Sequence, residues 1–313
     1  MNPKTKDFLS RFQSIIGLLI FSVIISFMSD RFLTFGNVLN VLRQTSINAI
    51  IAAGMTFVIL TGGIDLSVGS IFAISGAIAA ALVSSGQNAV IAIIIGLIVG
   101  TSIGLLNGFI ISKGKLQPFI VTLATMTIFR GATLVFTDGK PISSGYDING
   151  QLFSKFGTGY IFGVPNPIWI MLIVFLICFI ILKNTTIGRY VYSTGGNEEA
   201  TKLSGVSVFK VKLFVYGISG FFAALAGIII TSRLASAPPT AGSGYELDAI
   251  AAVVLGGTSL AGGIGSILGT VVGALIIGIL NNALNLLDVT SYYQLLAKGL
   301  VILIAVLLDR KDK

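Results

Sequence analysis

The sequence predicts an all-α integral membrane protein with about ten transmembrane helices, on three observations. Hydrophobic residues make up 54% of the 313 residues and charged residues only 10%, against about 25% charged in a typical soluble domain. The apolar residues form long runs of the length that a bilayer core requires. Lysine and arginine are concentrated in alternate connections between these runs, as in a multi-pass protein. We therefore expect one transmembrane domain, residues 1–313, with both termini in the cytoplasm.

The apolar runs place the predicted spans in order along the chain. The first run follows Lys4, Lys6 and Arg11 and has no small-residue cleavage site after it, which favours an uncleaved span over a signal peptide. The predicted spans are Phe12 to Met28, Ser46 to Leu60, Ser67 to Val83, Ala89 to Ile111, Pro118 to Phe136, Pro167 to Leu182, Leu213 to Thr231, Leu247 to Leu260, Ser266 to Leu280 and Ser291 to Leu308. Residues Thr137 to Asn166, rich in Gly, Ser and Asn, are predicted as a loop.

The distribution of basic residues gives the orientation. Thirteen of the twenty lysines and arginines fall in predicted cytoplasmic segments and five on the opposite side, which leaves Arg130 and Lys298 within spans. The cytoplasmic set is Lys4, Lys6, Arg11, Lys113, Lys115, Lys183, Arg189, Lys202, Lys210, Lys212, Arg310, Lys311 and Lys313. This asymmetry follows the positive-inside rule, and the net charge of +8 is read as topology signals and lipid contacts, with no nucleic-acid partner. Arg130 and Lys298 are predicted to make interhelical or interfacial contacts.

Several spans carry small residues at four-residue spacing, for example Gly96, Gly100, Gly104 and Gly108. No hydrophobic force drives helices together in lipid, so close backbone approach through such stripes must supply the packing. A tight bundle with glycine-lined contacts is predicted.

Two glycine-rich polar clusters flank short spans, at Thr61 to Gly69 and at Ala241 to Asp248. The spans before them share a short likeness, AAGMTFVIL from Ala52 and LAGIIITSR from Leu225. Interrupted helices in corresponding positions of two halves are typical of transporters with inverted repeats. We therefore expect an inverted repeat, with the two clusters in opposite leaflets.

The residue types present exclude several kinds of chemistry. With no histidine and one cysteine, Cys178, the chain has no internal disulfide, no ordinary zinc site and no catalytic dyad. We predict neither catalytic nor metal-binding residues. Asp65 is the only acid that we place at membrane depth, which disfavours an ion-coupled carrier. The chain also lacks a GxxxxGK[ST] nucleotide-binding sequence, so an energy source would have to come from a partner.

The polar stretch between the sixth and seventh spans, residues 184–212, predicts a partner contact. Asn197 can cap a short helix, Glu198 and Glu199 lie in its first turn, and Gly205 can end it in the left-handed conformation. A capped helix this short does not stand alone in water. Held between two spans, it suits docking into a partner on the cytoplasmic side, the alternative being an ordinary ordered loop.

Several runs of the sequence are similar to a known family. They are QTSINAIIAAGMTFVILTGGIDLSVGS from Gln44, GRYVYSTGGNEEATKLSGVSVFKVK from Gly188, PTAGSGYELDAIAAVVLGGTSLAGG from Pro239 and SYYQLLAKGLVILIAVLLDRK from Ser291. They resemble the ribose permeases of ATP-binding-cassette (ABC) importers, within the branched-chain amino acid and sugar permease family. The resemblance covers nearly the whole chain.

This resemblance implies a fold, partners and a location. The expected protein is a permease like those of type II ABC importers, working as a homodimer in a bacterial inner membrane without cofactors of its own. The expected partners are a cytoplasmic ATPase subunit, which would bind the ATP and Mg, and an extracytoplasmic sugar-binding protein. The family's ATPase-contact motif, E-A-A-x-x-x-G, matches Glu199, Ala200 and Gly205, whereas Thr201 replaces the second alanine and the downstream I-x-L-P is missing.

A polyol in transit needs small polar side chains, and these define the candidate sugar pathway. The candidates are Asn48, Thr56, Thr61, Ser67, Asn281, Asn282 and Asn285. The asparagine trio has helical spacing, although asparagines there could equally end a helix or bond to a neighbouring span. Two alternative functions remain open from the sequence: a permease for another small sugar or autoinducer, and an ion-coupled secondary carrier.

Overall fold

The computed structural model describes residues 3–309, and it describes side-chain surroundings for residues 16–290, 292–300 and 303. The side chains of Lys4, Lys6 and Arg11, and residues 310–313 with their basic side chains, lie outside that description. The part of the topology prediction that depends on these terminal charges therefore remains a prediction.

The described chain is predominantly helical. Its elements in order are α1 (Pro3–Met28), α2 (Phe35–Leu60), α3 (Val68–Ser84), α4 (Ala89–Gly114), α5 (Pro118–Thr137), β1 (Ile142–Ser143), α6 (Ile148–Thr158), β2 (Tyr160–Ile161), β3 (Val164–Pro165), α7 (Asn166–Asn184), α8 (Thr186–Gly196), α9 (Glu198–Leu203), α10 (Val208–Leu234), β4 (Ser236–Ala237), α11 (Tyr245–Leu255), α12 (Ile267–Leu286) and α13 (Ser291–Asp309).

A helix lies at each predicted span, but the helices are not equivalent. Within the described residues, six are long and apolar enough to cross a membrane: α2, α4, α5, α7, α10 and α12. By contrast, α3 has 17 residues and α11 only 11, or about 17 Å at 1.5 Å per residue, well short of the bilayer core. The total of ten spans remains a prediction.

Helix α10 forms the centre of the bundle and packs on α2, α3 and α4. The predicted close approach is present along the glycine stripe of α4. A Cβ built on Gly104 would lie 2.2 Å from the Tyr216 carbonyl oxygen, and one on Gly220 would lie 2.3 Å from the Gly100 carbonyl oxygen. The backbones of α4 and α10 therefore touch directly, and only glycine fits between them.

The segment from Thr137 to Asn166 is not the loop that we predicted. It contains helix α6, whose N-cap Asp147 accepts a hydrogen bond from the Gly150 amide at 2.9 Å, and the β2–β3 hairpin. Ahead of α6, strand β1 pairs antiparallel with β4 in the connection that follows α10. Sequence periodicity missed α6 because the segment is polar and short, but Asp147 is itself a preferred N-cap residue.

Two of the helices begin inside the bundle. Gly76 of α3 faces Thr231 of α10, and Gly227 of α10 lies against Phe72, so α3 and α10 run in parallel. At the start of α3, Gly69 lies against Gly242, in the loop that precedes α11. The two glycine clusters therefore reach into the bundle and meet there, where α3 and α11 begin.

Candidate functional site

The polar segment between α7 and α10 forms two short helices, α8 and α9. The predicted cap is confirmed: the Asn197 side chain accepts a hydrogen bond from the Ala200 amide at 2.9 Å. Glu198 and Glu199 occupy the first turn, and Gly205 has a φ of +83°, the left-handed conformation that ends the segment. Helix α9 itself has six residues, shorter than the two turns predicted.

One ion pair joins α9 to the bundle, and one hydrogen bond stabilises α9 itself. Lys212, in the first turns of α10, forms an ion pair with Glu198 at 2.7 Å. Thr201, the residue that departs from the family motif, is buried, and its hydroxyl donates to the Asn197 carbonyl oxygen at 2.8 Å. A second alanine could not make this bond, so the departure has a local structural role.

The rest of α9 is exposed. Glu199, Ala200, Lys202 and Gly205 all face solvent, and Leu203 is 83% exposed. We did not single out Leu203 from the sequence. A leucine that follows five polar or small residues in EEATKL could have indicated an exposed contact. An exposed leucine beside acidic side chains on a fixed helix is suited to protein contact.

The end of α8 forms a junction with two glycine-rich loops of the bundle. The Gly263 amide donates to the Leu60 carbonyl oxygen at 2.9 Å, which joins the loop before α12 to the end of α2. Gly195 lies against both residues, and a Cβ there would be 1.8 Å from the Leu60 oxygen. A displacement of α8 would therefore reach the loop that leads to α3 and the loop that leaves α11.

Tyr192 adds a side-chain bond to this junction. Its hydroxyl donates to the Gly265 carbonyl oxygen at 3.0 Å. Burial raises the pKa of Tyr192 above its usual value, so the hydroxyl keeps its proton and remains a donor at neutral pH. Neither Tyr192 nor Gly195 was singled out from the sequence, because their partners lie about 70 or more residues away.

Inside the bundle, Asp65 is fully buried in the turn before α3. Its carboxylate accepts hydrogen bonds from the Ser67 amide and hydroxyl and from the Ser219 hydroxyl of α10. Asn107 of α4 in turn donates to the Ser67 hydroxyl at 2.8 Å. Ser67, a candidate pathway residue, thus belongs to a buried network that fixes the start of α3 to α4 and α10.

Arg130 of α5 holds the two interrupted helices together. Its guanidinium donates to the carbonyl oxygens of Pro239 and Ala241, both at 2.9 Å, and to that of Gly69 at 3.2 Å. The prediction of an interhelical contact is confirmed. The arginine thus pairs two carbonyls of the loop before α11 and links that loop to the first turn of α3.

A second acid lies at membrane depth, contrary to our expectation that Asp65 would be alone there. Asp248 of α11 accepts hydrogen bonds from Asn48 at 3.3 Å and from Lys298 of α13 at 2.9 Å. Asn48 is halfway along α2, about 20 Å from its start at 1.5 Å per residue. The sequence placed Asp248 at a span end because it could not show that α11 begins inside the bundle.

The other candidate pathway residues do not come together in one site. Thr56 bonds Thr270 of α12 at 2.8 Å inside the core, and Thr61 donates to the Val58 carbonyl within its own turn. The asparagines of α12 bond to different neighbours: Asn282 exchanges hydrogen bonds with Asn37 of α2, whereas Asn285 accepts one from Gln294 of α13. Asn281, on the same helix, is partly buried. Only Asn48 lies beside the Asp248–Lys298 pair.

These features together define a class of protein. Six apolar helices of spanning length, two helices that begin inside the bundle and a fixed, exposed helix between two spans are the architecture of a multi-pass membrane permease.

The family follows from comparison with known proteins. The chain belongs to the family described as the permease component of the branched-chain amino acid transport system, whose model matches residues 37–306. It is therefore a permease of the ABC transporter class and a multi-pass protein of the bacterial inner membrane.

Individual relatives match over nearly their whole length. The chain is 60% identical to the ribose import permease protein of Haemophilus influenzae, over 96% of this chain and 94% of the relative. It is 55% identical to the ribose import permease protein of Escherichia coli, over 99% and 96%. It is 42% identical to the D-allose transport system permease protein of the same organism, over 91% and 86%. No solved structure matches this chain.

Proposed function

We propose that this chain is the transmembrane subunit of an ATP-driven importer for D-ribose. The sugar comes from an extracytoplasmic binding protein, passes through a homodimer of this chain and leaves unmodified into the cytoplasm. The permease works by alternating access and binds no nucleotide, because ATP and Mg are held by a partner ATPase. The relatives support ribose over allose, since identity to the ribose permease of Escherichia coli exceeds identity to the allose permease of the same organism.

The observation that carries this proposal is the rigid link between α9 and the bundle interior. The exposed face of Glu199, Ala200, Leu203 and Gly205 is attached through the Glu198–Lys212 pair to α10. Through α8, it is attached at Gly195 to the end of α2 and to the loop before α12. An ATPase that grips α9 and moves on binding ATP would shift these segments between two arrangements, which is what coupling through discrete states requires.

The interior supports alternating access through an inverted repeat. The unit α2, loop and α3 corresponds to the unit α10, loop and α11. Each has a long helix, a glycine-rich return and a shorter helix that begins inside the bundle. The start of α3 at Gly69 contacts the loop before α11 at Gly242, as expected if two repeats of opposite orientation meet at the substrate path.

The test is ribose-stimulated ATP hydrolysis by the chain co-purified with its native ATPase and binding protein. Glu199→Ala and Leu203→Asp should lower the stimulated rate by at least about tenfold, since about 1.4 kcal/mol of lost contact energy gives this factor. Gln151→Ala, an exposed substitution on α6, should leave it unchanged. Full stimulation in both α9 variants would contradict the docking role.

The same preparation separates the alternative functions. Stimulation by allose-loaded or another binding protein, with none by ribose, would identify a permease for a different small sugar or autoinducer. Uptake that persists without nucleotide and collapses with an ionophore would identify an ion-coupled carrier.

A further inference from the structure

We infer that one face of α2 forms a wall of the sugar route. This polar face consists of Asn40, Gln44 and Asn48, and it ends at the Asp248–Lys298 pair. This inference rests on the proposed sugar import and deepens it, because it names the groups that the sugar hydroxyls would contact.

The first observation is the geometry of this face. Asn40, Gln44 and Asn48 are four residues apart and therefore lie in one row along α2. The outer part of the row is connected, because the Asn40 side-chain oxygen accepts hydrogen bonds from Gln44 and from the adjacent Arg43, both at 3.2 Å. Gln44 is exposed, whereas Asn48 is partly buried. The row thus runs from the surface of the bundle to the middle of α2.

The second observation is the polarity at the inner end of the row. Asn48 donates to Asp248, which also binds Lys298, and the Lys298 side chain is still 23% exposed. The Asn48 side-chain oxygen is buried and, among the described residues, lacks a hydrogen-bond partner. The same holds for Oε2 of Glu246, in the first turn of α11. A solute hydroxyl could donate to either oxygen only when the bundle opens around it, as alternating access requires.

These groups cannot face hydrocarbon at mid-membrane depth. A charged side chain near the bilayer centre costs at least roughly 2.5–3.5 kcal/mol on insertion scales, and exposed amides add to that cost. The middle turns of α7 show what the chain presents to lipid, because their exposed side chains Leu172, Ile173, Leu176, Ile177 and Ile180 are all aliphatic. We therefore assign the exposed face of α7 to lipid and the exposed side of the α2 row to water.

The third observation is a groove at the outer end of the row. It lies between α2 and the β2–β3 hairpin and is lined by Gly36, Leu39, Asn40, Arg43, Tyr160 and Pro165. On the predicted topology, this end faces the extracytoplasmic side, where a binding protein would release its sugar. Neutral amides, an arginine and a tyrosine ring can hold a pentose weakly through its hydroxyls and its apolar face, as transit requires.

Thiol modification in the assembled transporter tests the inference. Gln44→Cys is compared with Leu176→Cys, a matched control that is 60% exposed on α7, both in a Cys178→Ala background. A charged, water-soluble methanethiosulfonate should modify Gln44→Cys at least about tenfold faster, because only a hydrated thiol ionises readily. Modification of Gln44→Cys with a bulky reagent should stop ribose uptake, and treatment of Leu176→Cys should not.

Each other outcome overturns the inference in a distinguishable way. Equal, slow modification of both cysteines in a complex that imports ribose would show that the α2 row is covered. Rapid modification of Gln44→Cys with undiminished uptake would show a hydrated face away from the route. Failure of the Cys178→Ala complex and the unsubstituted complex to import ribose would contradict the proposed function itself, and the sugar route with it.

Discussion

Burying the Asp65 carboxylate costs free energy, yet this carboxylate joins the turn before α3 to α10. The carboxylate is fully buried, and three donors from Ser67 and Ser219 point at it. Two of these donors fix the turn before α3, and the third belongs to α10. The network therefore fixes the residue at which α3 begins. Without it, the Ser67 amide, at the N-cap of α3, would lack its acceptor inside the membrane.

Replacing Asp65 should destabilise the protein according to how many donors lose their acceptor. Asp65→Leu leaves three buried donors unpaired, at about 1–3 kcal/mol each, whereas Asp65→Asn keeps one acceptor oxygen. We expect the leucine variant to unfold at the lower temperature in detergent, and Ser219→Ala, which removes a single donor, to have the smallest effect. Equal unfolding temperatures for Asp65→Leu and the unsubstituted protein would contradict this role.

The asparagines of α12 show the opposite case at the same scale. Asn282 pairs with Asn37, and Asn285 pairs with Gln294, so both hold neighbouring helices. Their spacing places Asn282 and Asn285 on the same side of α12, but two different helices, α2 and α13, pack against that side and pair with one amide each. Only the neighbouring helices decide what each amide contacts.

At the scale of elements, the junction at the end of α8 is where the cytoplasmic segment meets the bundle. Leu60, Gly195 and Gly263 bring together the ends or loops of three separate helices through backbone atoms alone. Backbone contact of this kind transmits small displacements because no flexible side chain lies between the moving parts.

Two adjacent glycines provide a matched test of this junction. Gly195→Ala would place a methyl group 1.8 Å from the Leu60 oxygen and 2.5 Å from the Gly263 nitrogen, so the backbones must separate. Gly196→Ala meets nothing within 4 Å. We expect Gly195→Ala to reduce ribose uptake at least about tenfold, because a loss of about 1.4 kcal/mol in coupling free energy gives that factor. Gly196→Ala should take up ribose at nearly the rate of the unsubstituted protein.

The readout that separates coupling from folding is ATP hydrolysis in the same preparations. If Gly195 transmits motion, the Gly195→Ala complex should still assemble and hydrolyse ATP, but the rate should no longer respond to ribose. Normal ribose stimulation in that variant would show that the junction only closes the bundle.

At the scale of the whole molecule, the surface divides into faces of different character. α7 exposes aliphatic side chains, and α2 exposes a row of amides. α9, in the connection between α7 and α10, exposes acidic and apolar side chains. The β1–β4 pair and α6 belong to connections predicted on the side opposite α9. Under the proposed function, these three faces are the lipid, solute and partner surfaces of the chain.

Accessibility to a membrane-impermeant maleimide tests this arrangement in spheroplasts, again in a Cys178→Ala background. Tyr146→Cys, at a position 83% exposed just before α6, should react in intact spheroplasts. Lys202→Cys, exposed on α9, should react only after the membrane is permeabilised. Reaction of Lys202→Cys from outside would reverse the topology and remove the basis for an ATPase contact there.

Composition and local pattern were enough to predict the membrane class, the positions of the apolar helices and the Asn197 cap, because these depend on composition and on neighbours within one helical turn. The motif around Glu199, Ala200 and Gly205 also indicated the family. The role of these residues in coupling remains a prediction.

The packing of the helices was needed to show the depth at which α3 and α11 begin, the pairing of Asp248 with Lys298, and the contact of Gly195 with Leu60 and Gly263. Each depends on residues about 50 or more positions apart, which no local pattern brings together. The physical reason is that polar atoms inside a membrane must find partners wherever the packed helices provide them, and the packing fixes those positions.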